Sequence, residues 1–285
     1  MKRIGISTDC VCDLPEDYLR ENDVDVMHFY ITTDTGKFRD GYGVTSENLL
    51  EYLEEGGAKA ETNPPAPEEY RAFFEHQLER CDELIHVALS SHVGLSCNHA
   101  RAAAQAMGED QQRVTVVDSE NLSTGLGHIV MKAVELRDEG LPAAEIVKVI
   151  QQMKYQISTT FITRSADYLA SNGRMGQGVR KLCEVLRLHP VLMMKNGRLT
   201  LQTLRAGNYE KAVMRYARSV LNRGGRVDRK RLFITHAGCT VKLIAQIRAE
   251  AERQRRFDDV IVTRASATIS GNCGPGMVGV ILMRY

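Results

Sequence analysis

Four short segments of this 285-residue chain combine hydroxyls, amides or an arginine with the prolines and glycines that let a backbone approach a ligand closely. The first is Glu61-Thr62-Asn63-Pro64-Pro65-Ala66-Pro67. Its prolines fix the loop, so the Thr62 hydroxyl, with Asn63 beside it, points in a defined direction at little entropic cost. The plainer alternative is a loop that only leads into a helix. The second segment, Ser90-Ser91-His92-Val93-Gly94-Leu95-Ser96-Cys97-Asn98, lies between a buried strand and a helix. A helix N-terminus presents free N–H groups and the positive end of its dipole, which suits a carboxylate or a phosphate. Gly94 permits close approach, and Ser91 and Ser96 add hydroxyl donors. Ser96 also fits the part of a simple N-cap. In the third segment, Tyr168-Leu169-Ala170-Ser171-Asn172-Gly173-Arg174-Met175, Asn-Gly favours a left-handed turn. Arg174 then either reaches an anion or a partner, or stands on the surface behind a helix C-cap. The fourth, Ser270-Gly271-Asn272-Cys273-Gly274-Pro275-Gly276, is too rigid and glycine-rich for an ordinary strand. It brings Asn272 to a ligand or simply turns the chain.

The usual catalytic signatures are missing. No Walker loop, no His-Glu-x-x-His and no Gly-x-Ser-x-Gly elbow occurs, and Gly125-Leu126-Gly127 lacks the third glycine of a dinucleotide fingerprint. His92 and His99 flank Ser96 and permit a second reading, a serine-dependent acyl hydrolase or transferase. That chemistry needs a base oriented by a third group, which spacing does not supply. The remaining histidines are scattered, and His86 and His236 fall in strand patterns as core residues. Cys10-Val11-Cys12 has one intervening residue rather than the two of a redox or zinc-ribbon pair, so no metal or cofactor is expected.

Positioning these segments requires a scaffold, and the first half of the chain alternates strands with helices. Strands are predicted over Lys2 to Thr8, Val24 to Thr32, Glu83 to Ser90 and Arg113 to Val117. Between them, Asp13-Leu14-Pro15 starts a short helix with Pro near its first position, and Thr45 caps a helix ending at Gly56-Gly57. Further helices run from Glu68 to Arg80 and from about Ser96 to Met107, and Asp118 and Ser119 lead into a helix that ends at Gly140. Such alternation implies right-handed crossovers and a parallel sheet. In the second half, strands fall at 158–163 and 190–195, and Asn196-Gly197 signals a type I′ hairpin into Arg198 to Leu204. Helices at about 208–222 and 240–254 alternate with strands near 231–236 and 258–265, and Met277 to Met283 closes the chain. The expected fold is therefore α/β, with a parallel-sheet domain over residues 1–156 and a smaller mixed-sheet domain over 157–285.

Bulk composition narrows the function. Hydrophobic residues make up 43% and charged residues 26%, as in ordinary globular proteins. Thirty-seven Lys and Arg against 36 Asp and Glu leave a formal charge of +1, which gives no electrostatic case for nucleic acid. The basic run Arg253-Gln254-Arg255-Arg256 reads as the solvated last turn of a helix. No segment reaches the roughly 18 apolar residues of a membrane span, and Met1-Lys2-Arg3-Ile4-Gly5 lacks a signal-peptide core. A cytoplasmic location is expected, with membrane contact at most transient. Seven cysteines in an odd, scattered set agree with reduced thiols.

In this order and spacing the segments resemble the DegV family of bacterial fatty-acid-binding proteins. The likeness begins at Ile6-Ser7-Thr8-Asp9-Cys10-Val11-Cys12-Asp13-Leu14-Pro15 and runs through Thr62 with its proline loop and Ser90 to Ala100. It continues over Val117-Asp118-Ser119, Asn172-Gly173-Arg174 and Leu204-Arg205-Ala206-Gly207 to the terminal Gly274-Pro275-Gly276. Three departures stand out. Gly94-Leu95-Ser96 replaces the usual Ser-Gly-Thr, Asn272 replaces a common His, and Thr62-Asn63-Pro64-Pro65 replaces Thr-Ser-Gln-Pro.

The resemblance implies a carrier rather than an enzyme: an acyl chain lodged inside the protein, with the carboxylate held by Thr62 and the serine loop. It further implies that the bound acid is presented to a separate fatty acid kinase. With those departures, Thr62, Ser96 and backbone amides are the surest head-group donors, joined by Asn63, Ser91, Gly94 and Asn272. Arg174 and Arg205 are expected to support the head group or the partner face. A sixteen-carbon tail such as palmitate, at roughly 0.8 kcal/mol per buried methylene, supplies on the order of 10 kcal/mol before association costs. Hydrogen bonds to the charged end add roughly 1.5–3 kcal/mol each. Tail burial then dominates affinity, and the loops fix orientation.

Overall fold

A computed structural model describes residues 2–57, 60–254 and 257–285. Arg255 and Arg256, half of the basic run, lie outside the described residues, while Arg253 ends the helix Val241–Arg253.

The buried apolar runs of the first half form a four-stranded sheet in the order Val24–Met27, Ile4–Asp9, Glu83–Ala88, Val114–Asp118. Every pairing in it is parallel. Helices Pro67–Leu78, Ser96–Gln105, Thr124–Asp138 and Ala143–Met153 connect or follow these strands. Tyr70, Phe74, Leu84, Ala100 and Val114 meet in one apolar core. Pro15 is the N-cap of its helix, Glu16–Glu21, rather than the first helical residue. The single strand expected from Val24 to Thr32 is divided into Val24–Met27 and Tyr30–Thr33, which belong to different sheets.

In the second half, a six-stranded mixed sheet runs Arg198–Ala206, Leu188–Lys195, Ile157–Ile162, Val278–Arg284, Val227–His236, Asp259–Arg264. Val227–His236 and Asp259–Arg264 pair parallel, and the pairings that place Val278–Arg284 between its neighbours are antiparallel. Asn196 and Gly197, at φ 49° and 74°, make the hairpin turn with the two positive φ values that a type I′ turn needs.

The chain divides into two units. Residues 1–30, 63–156 and 196–198 form the first, and residues 31–62, 157–195 and 199–285 the second. Residues 31–62 belong to the second unit, which is consequently the larger. The reason is local packing. Ile31, Val44 and Leu49 share a core with Ala267, and Ser46 Oγ lies 2.6 Å from Ser270 Oγ. This segment carries a small sheet, Gly36–Arg39, Tyr30–Thr33, Glu61–Asn63, and the helix Ser46–Glu54. Thr45 caps that helix as expected. Its hydroxyl accepts from Asn48 N–H and its own N–H donates to Asn48 Oδ1. Among the described residues, no helix is long and apolar enough to cross a membrane.

Candidate functional site

In the first unit the strand order reverses between Ile4–Asp9 and Glu83–Ala88, since the chain goes from the first outward to Val24–Met27 and then crosses to the second. Open parallel sheets place ligand crevices beyond the carboxyl ends of strands at such a point. Asp9 ends one of these strands, and the serine loop follows the other. The Asp9 side chain is fully buried. Its Oδ2 accepts from Leu89 N–H and from Ser96 Oγ, each at 2.8 Å, and its Oδ1 accepts from the Tyr70 hydroxyl at 2.7 Å. Burial, and then the charge of Asp9, push the Tyr70 hydroxyl well above its ordinary range, so it stays a donor.

These bonds define what Ser96 does. Its hydrogen is committed to Asp9, and the residue is fully buried as the first residue of Ser96–Gln105. The N-cap position falls to Leu95, whose side chain makes no cap bond, so the simple N-cap reading of Ser96 does not hold. His99 Nδ1 meets the Pro65 carbonyl at 2.7 Å, and His92 is exposed. With its proton on a carboxylate rather than an imidazole, Ser96 does not have the geometry of an activated nucleophile.

The rest of the loop is a tight turn. Val93 and Gly94 donate their N–H groups to the Ser90 carbonyl at 2.9 and 3.2 Å, and Ser90 Oγ donates to the Gly197 carbonyl at 2.6 Å. Ser91 N–H points at Asp118 Oδ1, 3.3 Å away, and the Ser91 side chain is half-buried. The first intrahelical bond here runs from His99 N–H to the Leu95 carbonyl. The N–H groups of residues 95–98 therefore precede any intrahelical acceptor. Burial, then the charge of Asp118, push the neighbouring Cys97 thiol up to about 12.

In the second unit, Thr62 and Asn272 come together. Asn272 Nδ2 donates to Thr62 Oγ1 at 3.0 Å and to the Thr268 carbonyl at 2.8 Å. Asn272 sits on a short helix, Ala267–Cys273, where the sequence pointed to an irregular glycine-rich turn. The buried Asp40 makes that helix possible, taking the N–H groups of Ala267 and Thr268 at 3.1 and 2.8 Å. Ser266 adds a cap to Ile269 N–H. Thr62 itself lies in a short strand, Glu61–Asn63, that ends where the prolines begin, rather than in the loop expected from 62 to 67. Asn63 is exposed and falls in the first unit.

The third segment joins the fourth within the second unit, because Asn172 Nδ2 donates to the Gly271 carbonyl at 3.3 Å. Gly173 at φ 69° turns the chain left-handed after Asp167–Ser171, and Arg174 N–H reaches back to the Leu169 carbonyl at 2.7 Å. The Arg174 side chain is exposed. Arg205 lines a cleft of about 260 Å³ with Thr160, Gln202, Ser219 and Arg223 among others; its Nη2 donates to Ser219 Oγ at 3.3 Å. Neither Thr62 nor Asn272 is among the described residues lining that cleft.

Asp9, Tyr70 and Asp40 are the residues that the sequence analysis did not single out as part of the site. A faint signal for Asp9 exists, an acid ending an otherwise uncharged strand just before a turn. Nothing local marks Tyr70 or Asp40, whose partners lie 61 and 227 or more positions away.

Comparison with known proteins follows the same lines. A family model described as "Uncharacterised protein, DegV family" matches residues 3–284. A DegV domain-containing protein of Deinococcus radiodurans is 29% identical over 287 residues, covering 98% of each chain. A solved DegV family protein from Thermus thermophilus, whose structure concerns fatty acid binding, superimposes with a TM-score of 0.87 at 26% identity, covering 99% of this chain and 100% of that one. The Streptococcus pneumoniae fatty acid kinase (Fak) B3 protein, loaded with linoleic acid, has a TM-score of 0.85 at 18% identity, covering 99% and 100%.

Proposed function

This chain belongs to the DegV family, and from that premise we propose that it binds a long-chain fatty acid, as a carrier that presents the acid to a separate fatty acid kinase. One arrangement carries the reading. Thr62 Oγ1 accepts from Asn272, so its own hydrogen remains for an anionic ligand. The Thermus relative, whose structure concerns fatty acid binding, supports the ligand class. The kinase assignment is supported by the shared fold and printed name of the Streptococcus protein.

Thr62 donates its hydroxyl hydrogen to the carboxylate. In the first unit, the N–H groups opening the helix Ser96–Gln105 and the Ser91 hydroxyl are assigned as anion donors, and Gly94 keeps the loop free of a side chain. Ser96 contributes by holding the loop through Asp9, and Asn272 by holding Thr62. Asn63, Arg174 and Arg205 are assigned to the polar surround and the partner face. Two or three hydrogen bonds to the carboxylate, at roughly 1.5–3 kcal/mol each, offset the cost of burying its charge.

Organic extraction of the purified protein followed by mass spectrometry tests the reading. About one equivalent of a long-chain acid is expected from protein expressed in a lipid-replete host, and recovery of none would overturn it. The Thr62→Val variant should lose bound acid while retaining its fold, because the change removes only a hydroxyl.

A further inference from the structure

We infer that Asp9 is the positioning residue of the first unit's ligand loop; its purpose rests on the fatty-acid reading above, its geometry does not. A single oxygen, Oδ2, accepts from Leu89 N–H and from Ser96 Oγ, the residues that open and close the loop. One atom thus ties both ends of the segment that contains Gly94. The other oxygen accepts from Tyr70, which stands in the first turns of the helix Pro67–Leu78, directly after the proline segment. A second tie joins the same two regions, from His99 Nδ1 to the Pro65 carbonyl.

Asp9, Tyr70, Ser96 and His86 are all fully buried, so these bonds are shielded from exchange with water. Hydrogen bonds to a carboxylate are the stronger kind, and a dry surround strengthens them further. His86 closes the remaining side. Its Nε2 lies 3.4 Å from Asp9 Oδ1, its Nδ1 lies 3.0 Å from Ser7 Oγ, and its ring packs edge-on against Tyr70 and Phe74. Asp9 therefore acts on a ligand through the loop it shapes. Without the shared oxygen, Ser96 and Leu89 have no common anchor, and the helix N-terminus loses its fixed direction.

Amide exchange followed by mass spectrometry on the intact, unliganded chain tests this directly. Asp9→Asn places an NH₂ group against donors. Exchange across residues 89–96 should rise about tenfold or more, as expected for one lost bond of this kind, with exchange in Val227–His236 unchanged. Tyr70→Phe keeps the ring and removes only the contact to Oδ1, so it serves if Asp9→Asn fails to fold. It should speed exchange in the proline segment and in 89–96 together. Unchanged exchange in 89–96 in a folded variant overturns the inference. With palmitate as the probe, the Asp9→Asn, Ser96→Ala double variant should bind no more weakly than Asp9→Asn alone, because both act through one tether. Additive losses overturn it. If the wild-type chain binds no palmitate, the fatty-acid reading falls and the exchange result alone decides the role of Asp9.

Discussion

Asn272 and Thr62, 210 positions apart in sequence, meet at 3.0 Å with the asparagine amide as donor. The second amide hydrogen goes to the Thr268 carbonyl at 2.8 Å, so both donors of Asn272 are engaged and its orientation is set. The threonine oxygen accepts in this contact, which does not use its own hydrogen. Asn272 is an amide and does not change charge with pH.

Thr62→Val should therefore remove a ligand donor without disturbing the fold. One hydrogen bond to a charged group corresponds to a loss of affinity on the order of ten- to a hundredfold. Calorimetric titration with palmitate reads that loss, and the melting temperature should stay close to wild type. Equal affinity in the variant would remove Thr62 from the site.

Gly274→Ala should destabilise the second unit. Gly274 has φ 77° and ψ 173°, a conformation essentially reserved for glycine, and an added Cβ would collide with the Tyr168 ring. Backbone strain of this type costs about 1–3 kcal/mol before the collision is counted. Chemical denaturation of the purified variant measures it.

Asp40→Asn should loosen the helix that carries Asn272. The two carboxylate oxygens take the N–H groups of Ala267 and Thr268, and an amide can serve only one of them. A cap loss of about 1–2 kcal/mol is expected, visible as a lower denaturation midpoint. Palmitate affinity should fall with it, since Asn272 holds Thr62.

The buried thiols predict an alkaline limit to stability. Burial pushes Cys12 and Cys97 from 9.0 up to about 12. Above pH 9 the unfolded thiols ionise while the folded ones remain protonated. Their contribution to stability is complete below pH 9 and is lost as pH rises toward 12. Iodoacetamide at pH 8 should leave both residues unmodified in the native protein and label them once it is denatured. Rapid labelling of native Cys97 would contradict its burial.

Sequence alone was enough for the four parallel strands and several of the helices. Alternating apolar runs specified the parallel strands, Asn196-Gly197 specified its hairpin, and Thr45 specified a helix start, because each depends on residues within a few positions of one another. It also marked the segments carrying Thr62, Ser96 and Asn272, since prolines and glycines declare themselves locally. Tertiary structure decided which hydroxyl is free and which is committed. Ser96 looked like a ligand donor until Asp9, 87 positions away, was found holding its hydrogen. The glycine-rich stretch at 270–273 became a helix because Asp40 caps it from 227 and 228 positions away. The second unit likewise gained residues 31–62 through packing against Ala267. A hydrogen bond between distant residues leaves no periodicity in either segment, so only folding reveals it.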